Sequence, residues 1–434
     1  MKKSFNLFFI PLILFVAAFW TVFAVWLLSD EPLNPEIEVI VQDLEAEVTT
    51  QKNGTVFLLG LSSFGYGDVY KYGVKRVQDY ENWIEEQHLD AAAYYEEGLP
   101  DYAGDDVFSI ESDWLCEVES ITCMESVWQN AEALEPLLNS NVKLLALIDQ
   151  LQSFEYFRLA STPGMFMPIP NSYIDLSVAQ LYALQSLLHI KKNDTQQAIS
   201  LLANLVNMNR RMLDSPYIVT KVIAAVTQKM TLHIAAFALK KTPAEHLPLW
   251  LEFVDSLVPY AEGLLSSKRQ MNLELAMIVN QLAAFKSGLL VQEEGWAATL
   301  VQRALFKPNQ TLNDVYDVLL SQSNKFRWHG DAIIQMPQKS LPERGVMAKL
   351  KNFTGDLLVD TMTPRFLDIE DTLLELEFQQ RVLVAQINYR ITQGENAEIR
   401  QIVSPYTGKV GTKTEAQICF DDNKSAPELC YYDK

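Results

Sequence analysis

The sequence predicts a mainly α protein: an N-terminal transmembrane helix, then a multi-helix array containing an αα-hairpin, then a small disulfide-stapled C-terminal appendage. Three observations predict it. Residues 5–28 (FNLFFIPLILFVAAFWTVFAVWLL) carry no charge over 24 positions. From about residue 127 to 392 apolar residues recur at steps of three and four, the helical period. Near the end, turn signals and short β-like runs surround Cys419 and Cys430.

At 1.5 Å per residue, a helix over residues 5–28 reaches about 36 Å, enough for a hydrocarbon core of about 30 Å. Lys2, Lys3 and the terminal amine precede it, whereas Asp30, Glu31, Glu36 and Glu38 follow. The positive-inside rule then places residues 1–4 in the cytoplasm and exports the rest. Trp20 and Trp26 lie toward the far end, where indole rings favour the membrane interface. A cleaved signal peptide begins with the same basic residues, but this run exceeds the usual apolar region of one, and no small-x-small cleavage site follows Leu28. Pro11 is expected to kink the span, which lipid-embedded helices tolerate.

The four cysteines form two close pairs, Cys116 with Cys123 and Cys419 with Cys430. Two local disulfides suit an oxidising compartment, although four cysteines allow three connectivities. Zinc is the alternative, against which stand the long spacings and the lack of histidine in either loop. Buried free thiols are the third reading.

Charge is segregated along the chain. The net charge is -20, yet residues 30–142 alone carry 25 Asp and Glu against Lys52, Lys71, Lys75 and Arg76. That balance excludes a nucleic-acid footprint, which must be basic, and opposes contact of this segment with an anionic membrane surface. Asp101, Asp105, Asp106, Glu111 and Asp113 lack the alternating acids and central Gly of an EF-hand loop, so a solvated acidic face is expected.

These boundaries give an anchor (5–28), an acidic membrane-proximal domain (29–141), a helical domain (142–394) and an appendage (395–434). Ile37, Val41, Leu44 and Val48 mark an amphipathic helix leading away from the membrane. Gly60, Gly65 and Gly67 lie in an apolar stretch that lacks a Walker lysine and a preceding strand, so they read as close packing rather than a phosphate cradle. Residues 94–114 read as loop, and residues 142–157 as one helix. Residues 161–172 hold three prolines and an expected exposed patch, Met165, Phe166 and Met167. Ser172 with Asp175, and Asp194 with Gln197, are capping boxes opening two helices of similar length, an αα-hairpin with Ala179 and Ala198 as small packing residues. The hairpin is similar to a tetratricopeptide unit, but no second copy follows at a 34-residue step.

Further helices are expected at 217–239, at 243–257 behind Thr242 as N-cap with Pro243 and Glu245, at 260–290, at 296–306, and from Leu312 behind Thr311 with Asp314. Residues 326–356 hold Pro337, Pro342, Gly330, Gly345 and Gly355 with Arg327, Lys339, Arg344, Lys349 and Lys351. They predict a long basic loop, either a lid over a site or a cover touching the acidic segment. His329 is the histidine here worth testing for chemistry. In the last long helix, 364–392, Phe366, Ile369, Leu373, Leu376, Gln380, Leu383 and Ile387 alternate steps of three and four. Leu367, Leu374, Phe378, Val382 and Val384 lie off that seam, which marks a helix central to a core rather than a two-stranded coiled coil.

The N-terminal span together with KNGTVFLLGL (52–61), KPNQTLN (307–313) and SPYTGK (404–409) resembles uncharacterised membrane-anchored helical proteins of Gram-negative bacteria. The resemblance implies an inner-membrane protein with a periplasmic body and carries no activity or site residues. The tail is similar to pilin C-termini with their disulfide loop, but the N-terminus lacks the processed leader and helix glutamate of a pilin. A type II eukaryotic membrane protein would read the same way, with Asn53-Gly54-Thr55 as a sequon.

Neither G-x-S-x-G nor H-E-x-x-H occurs, and His88, His189, His233, His246 and His329 are dispersed. No catalytic residue, cofactor or metal site is therefore expected. The favoured function is a noncatalytic interaction or scaffold module of the cell envelope, bound to the bilayer through residues 5–28 and to an envelope protein partner. A cell-envelope hydrolase or transferase and a small-ligand binder with a pocket between helices are the alternatives.

Overall fold

The computed structural model describes residues 14–22, 25, 26, 28–63, 67–87, 121–164, 166–170, 172–286, 306–323, 326–329, 332–335, 351, 352, 355, 359, 367–392, 412, 413, 417–420 and 429–432. The chain is mainly helical. Its longer helices are α1 (Pro35–Ala46), α2 (Gly54–Gly60), α3 (Val69–Gln87), α4 (Ile121–Gln129), α5 (Leu134–Ser140), α6 (Val142–Gln152), α7 (Ser172–Lys191), α8 (Thr195–Leu213) and α9 (Ile218–Lys241). They continue with α10 (Trp250–Ser256), α11 (Glu262–Leu265), α12 (Lys268–Lys286), α13 (Pro308–Ser323) and α14 (Leu367–Ile391).

The largest core is built by α7, α8 and α9, which pack on one another, with α14 laid against α9. The hairpin α7–α8 forms, and its second cap is made as expected: the Asp194 carboxylate accepts the Gln197 N–H at 3.3 Å, and Asn193 makes the turn at φ 61°, while the side chains of Ser172 and Asp175 lie outside the described residues. Ala179 and Ala198 are fully buried, so the two helices approach closely where a larger side chain would hold them apart. α9 is long and apolar enough to cross a membrane, but 72% of its most apolar window is buried among its neighbours, and it acts as the core helix of the body.

Every described residue of the α14 seam is buried: Ile369, Leu373, Leu376, Gln380, Leu383 and Ile387. Leu374, Phe378 and Val382 are buried as well, so α14 is enclosed on more than one face. A second core joins α1, α12 and α13 through Ile37, Met271, Leu275, Ile278, Val315 and Leu319. Leu44, Tyr80, Leu159, Tyr217, Leu273 and Ala276 fill the seam between this unit and the remainder. Two helices far apart in sequence therefore flank α12.

Several local expectations change. Met167 is buried and Phe166 packs beside Trp83, so these two residues of the expected patch turn inward, whereas Ile169 is exposed and Met165 lies outside the described residues. Thr242 does not cap a following helix. It ends α9, donates to the Ala238 carbonyl at 2.8 Å and accepts the Trp250 indole N–H at 3.1 Å; a 3-10 turn, Ala244–Leu249, then leads into α10. α13 starts four residues before Leu312, with Thr311 inside it donating to the Lys307 carbonyl. Residues 326–335, expected as loop, hold an antiparallel hairpin, β1 (Phe326–His329) with β2 (Ala332–Gln335). A three-stranded sheet, β3 (Thr412–Lys413), β4 (Gln417–Phe420) and β5 (Leu429–Tyr432), lies in the C-terminal segment. The expected loop at 94–114 and, apart from the buried Phe306, the expected helix at 296–306 lie outside the described residues.

Candidate functional site

The described part of the apolar leader, residues 14–22, 25, 26 and 28, is helical. It projects apolar side chains into solvent, with Phe15 70%, Val22 69%, Trp20 60% and Leu28 63% exposed. Such a contiguous apolar surface marks a contact face for membrane or protein. The chain just beyond the leader is held firmly. Asp30 reaches the start of α13, where its Oδ2 accepts the Asn309 N–H at 2.9 Å and its Oδ1 the Gln310 N–H at 3.1 Å. Those are N–H groups that a helix start cannot satisfy within itself, and the carboxylate also complements the positive end of the helix dipole.

Four further bonds extend the clamp. Asn309 Nδ2 donates to the Glu31 carbonyl (2.9 Å), Asn313 Nδ2 to the Pro32 carbonyl (3.0 Å), the Asn34 N–H to Asn313 Oδ1 (2.9 Å), and Tyr316 Oη to Glu36. Burial, then the Glu36 carboxylate, pushes the Tyr316 phenol up to about 12. Asn34 in turn caps α1 by accepting the Glu36 N–H. KPNQTLN is thus the receptor of residues 30–36: its asparagines bind that stretch, while Lys307 and Thr311 are tied to Asn352.

Two ammonium groups stand at this junction. Lys351 Nζ lies 5.6 Å from the centre of the Trp26 ring. Burial pushes the Lys307 ammonium below its usual value; Asp30 opposes that shift and Lys351 adds to it, so the two lysines feel each other's charge.

KNGTVFLLGL is likewise architectural. Buried Asn53 accepts the Thr55 and Arg158 N–H groups and donates to the Thr49 and Arg158 carbonyls, fixing α2 against the 156–159 segment. Gly60 lies on the backbone of α3, as its close-packing reading requires, but Gly67 has open space around it and serves a bend at φ 156° instead, and Gly65 lies outside the described residues.

An open groove of about 640 Å³ runs between Glu45 to Thr50, Val77 to Asn82 and Ala160 to Thr162. Both Glu81 oxygens are taken by Thr162, from its N–H at 2.6 Å and its hydroxyl at 3.1 Å.

Buried charge in the main core serves the 257–267 connection. Glu370 accepts from the Ser267 N–H and hydroxyl, Glu377 from the Tyr260 N–H, and Gln380 donates to the Leu257 and Val258 carbonyls. Lys221 donates to the Leu264 and Ser266 carbonyls, and burial pushes its ammonium down to about 8. Periodicity marks these positions of α14 only as helical, and nothing in it announces a carboxylate spent on distant backbone.

The sequence-predicted site residues scatter. His189 lies 3.2 Å from Asp194, His246 2.9 Å from the Thr195 hydroxyl, His233 on α9, and His329 in β1 opposite Ala332. His88, Asp105, Asp106 and Cys116 lie outside the described residues, and Cys123 falls in α4. Cys419 and Cys430 are register partners across β4 and β5. One further hydrolase-type spacing, S-x-x-K, occurs at Ser140 to Lys143. Its serine ends α5 and donates to the Leu137 carbonyl at 2.9 Å, while Lys143 is exposed on the next helix, so no nucleophile and base are brought together. Among the described residues no group of three His, Cys, Asp or Glu could hold a metal.

The class these features define is a helical body with an apolar leader helix fastened to it by a polar clamp. No family model, no curated protein and no solved structure matches the chain.

Proposed function

We propose that the protein is a bitopic inner-membrane protein whose leader helix, residues 5–28, stays in the bilayer and whose helical body stands in the periplasm as a noncatalytic interaction or scaffold module. The observation that carries this reading is the exposed apolar helix running directly into the Asp30 to Glu36 clamp. The clamp begins two residues beyond the leader, so an uncleaved anchor is joined to the body without a slack linker. The partner is another envelope protein, met through the helical surface of the body. Cys116 with Cys123 and Cys419 with Cys430 form the disulfides; the β4–β5 register supports the second pair.

Carbonate extraction and protease protection test the anchor and its direction. The expected result is a carbonate-resistant chain whose C-terminal body is digested in spheroplasts but not in intact cells. Extraction of the protein by carbonate, or a body protected in spheroplasts, would overturn the reading. The groove beside Glu45 favours a second reading, a binder of small polyhydroxyl or cationic ligands. Isothermal titration against a panel of sugars and polyamines, with Glu45→Gln as control, decides it.

A further inference from the structure

The groove between α1, α3 and the 160–162 stretch has two unlike walls. Gln78 and Asn82 line it from α3, one helical turn apart, and Glu45 lines it from the end of α1. Val48, Val77 and Ala160 supply its apolar lining. Glu81 is spent on Thr162, but the side chains of Glu45, Gln78 and Asn82 are exposed and make no hydrogen bond or ion pair among the described residues. Each amide carries both a donor and an acceptor, the complement of a peptide unit. Four residues of helix rise about 6 Å. Two residues of extended chain advance about 6.6–6.8 Å, so amides one turn apart meet alternate peptide units of a strand laid along α3. The side chains of that strand then alternate between the apolar lining and solvent. Charge selects among the peptides. Glu38, Gln42 and Glu45 follow one another at steps of four and three on α1, as do Gln78, Asn82 and Glu85 on α3, and all six are exposed. The lysine that continues the α3 row, Lys75, is paired with Asp79 at 3.8 Å, and Arg76 reaches Ser62 Oγ. α1 and α3 share the core of Leu44 and Tyr80, which keeps the two rows on neighbouring helices and makes the rim negative.

We propose that this groove is where the body docks its protein partner, and that it takes an extended peptide segment bearing a Lys or Arg opposite Glu45. The inference rests on the interaction-module reading and gives it a surface. Gln78 and Asn82 hold the main chain of the segment, which is the same for every sequence, and Glu45 takes the cationic side chain, which is not. The acid excess of residues 30–142, expected as a solvated face, then also draws a basic segment toward the groove.

The test mixes the full-length protein in detergent with a degenerate pool of heptapeptides and sequences the retained peptides by mass spectrometry. The wild type is expected to retain Lys and Arg peptides over Asp and Glu peptides by roughly five-fold, and Glu45→Gln to lose that preference. The double variant Gln78→Ala, Asn82→Ala is expected to retain roughly ten-fold less peptide of every composition. All three side chains are exposed, so circular dichroism of the variants should match the wild type. A wild type without a basic preference, a folded Glu45→Gln that keeps the preference, or a folded double variant that keeps its peptide overturns the groove assignment. Displacement of the peptides by an equal concentration of spermidine also overturns it, in favour of a free cation. Chemical crosslinking of the full-length protein in intact cells separates the two failures. Reproducible crosslinks to an envelope protein without peptide retention leave the interaction module standing and remove this groove from it; absence of both overturns both.

Discussion

Glu274 sits in the middle of α12, between Leu273, which faces one core, and Leu275, which faces the other. Burial raises its carboxyl from the usual range to about 7, and no hydrogen bond or ion pair offsets the loss of water among the described residues. A folded-state pKa above the unfolded one means that the folded protein binds the extra proton. The favourable contribution is complete below about pH 4.5 and disappears as pH rises through 7. Glu274→Gln is therefore expected to stabilise the body at pH 8 by about 1–3 kcal/mol and to match the wild type at pH 4.5. Denaturant titrations at the two pH values check it. Lys221 has the mirror-image behaviour. Its depressed pKa means that the unfolded chain holds the proton between about 8 and 10.5, so stability rises with pH in that window. Lys221→Met should flatten the rise between pH 8 and 10, a difference of up to roughly 1.4 kcal/mol per pH unit. Neither behaviour is legible in the sequence, where Glu274 is one acid in an ordinary amphipathic pattern and Lys221 one of several lysines on an otherwise apolar helix.

At the scale of elements, α2 and α3 cross with their backbones in contact. A Cβ on Gly73 would run into the Val56 carbonyl and one on Gly60 into the Val69 carbonyl, atoms of the main chain that cannot turn aside. Gly73→Ala should thus cost more than about 3 kcal/mol and lower the melting temperature of the body. Gly263→Ala, in α11 with open space around its missing Cβ, should be neutral or stabilising by up to about 1 kcal/mol. Thermal unfolding of the two variants side by side distinguishes close packing from a general intolerance of alanine. Elements of this kind are legible wherever their determinants are local. The α14 seam announces a buried helix because each position repeats the helical period, and the α7–α8 hairpin announces itself through Asp194 and Gln197. Distant determinants are not legible in this way. Thr242 and Thr311 have the right identity and spacing for N-caps, but each turns its hydroxyl back to a carbonyl four residues earlier. Thr242 then serves the indole of Trp250, and α13 receives its cap from Asp30, 279 residues away from Asn309.

That distant cap ties the architecture of the whole molecule to its leader. α1 and α13 lie far apart in sequence and share α12 as a neighbour, so the Asp30 to Glu36 stretch is held by a unit that is complete only when residue 323 has been placed. The orientation of the leader is therefore a property of the folded body and not of a flexible linker. Asp30→Ala removes both acceptors at the start of α13 and should cost about 0.5–2 kcal/mol, as loss of a helix cap does. The principal core contains no part of this contact, so melting should fall by only a few degrees. The larger effect is expected at the junction itself: limited proteolysis between residues 28 and 36 should accelerate well beyond any change in the body. Asp30→Asn separates the two contributions, because an asparagine still accepts an N–H but brings no charge to the helix dipole. It should retain most of the protection seen in the wild type. Cleavage at the wild-type rate in Asp30→Ala would mean that the Asp30 cap does not restrain the leader, and that the bonds of Asn309, Asn313 and Tyr316 to the 31–36 stretch suffice without it.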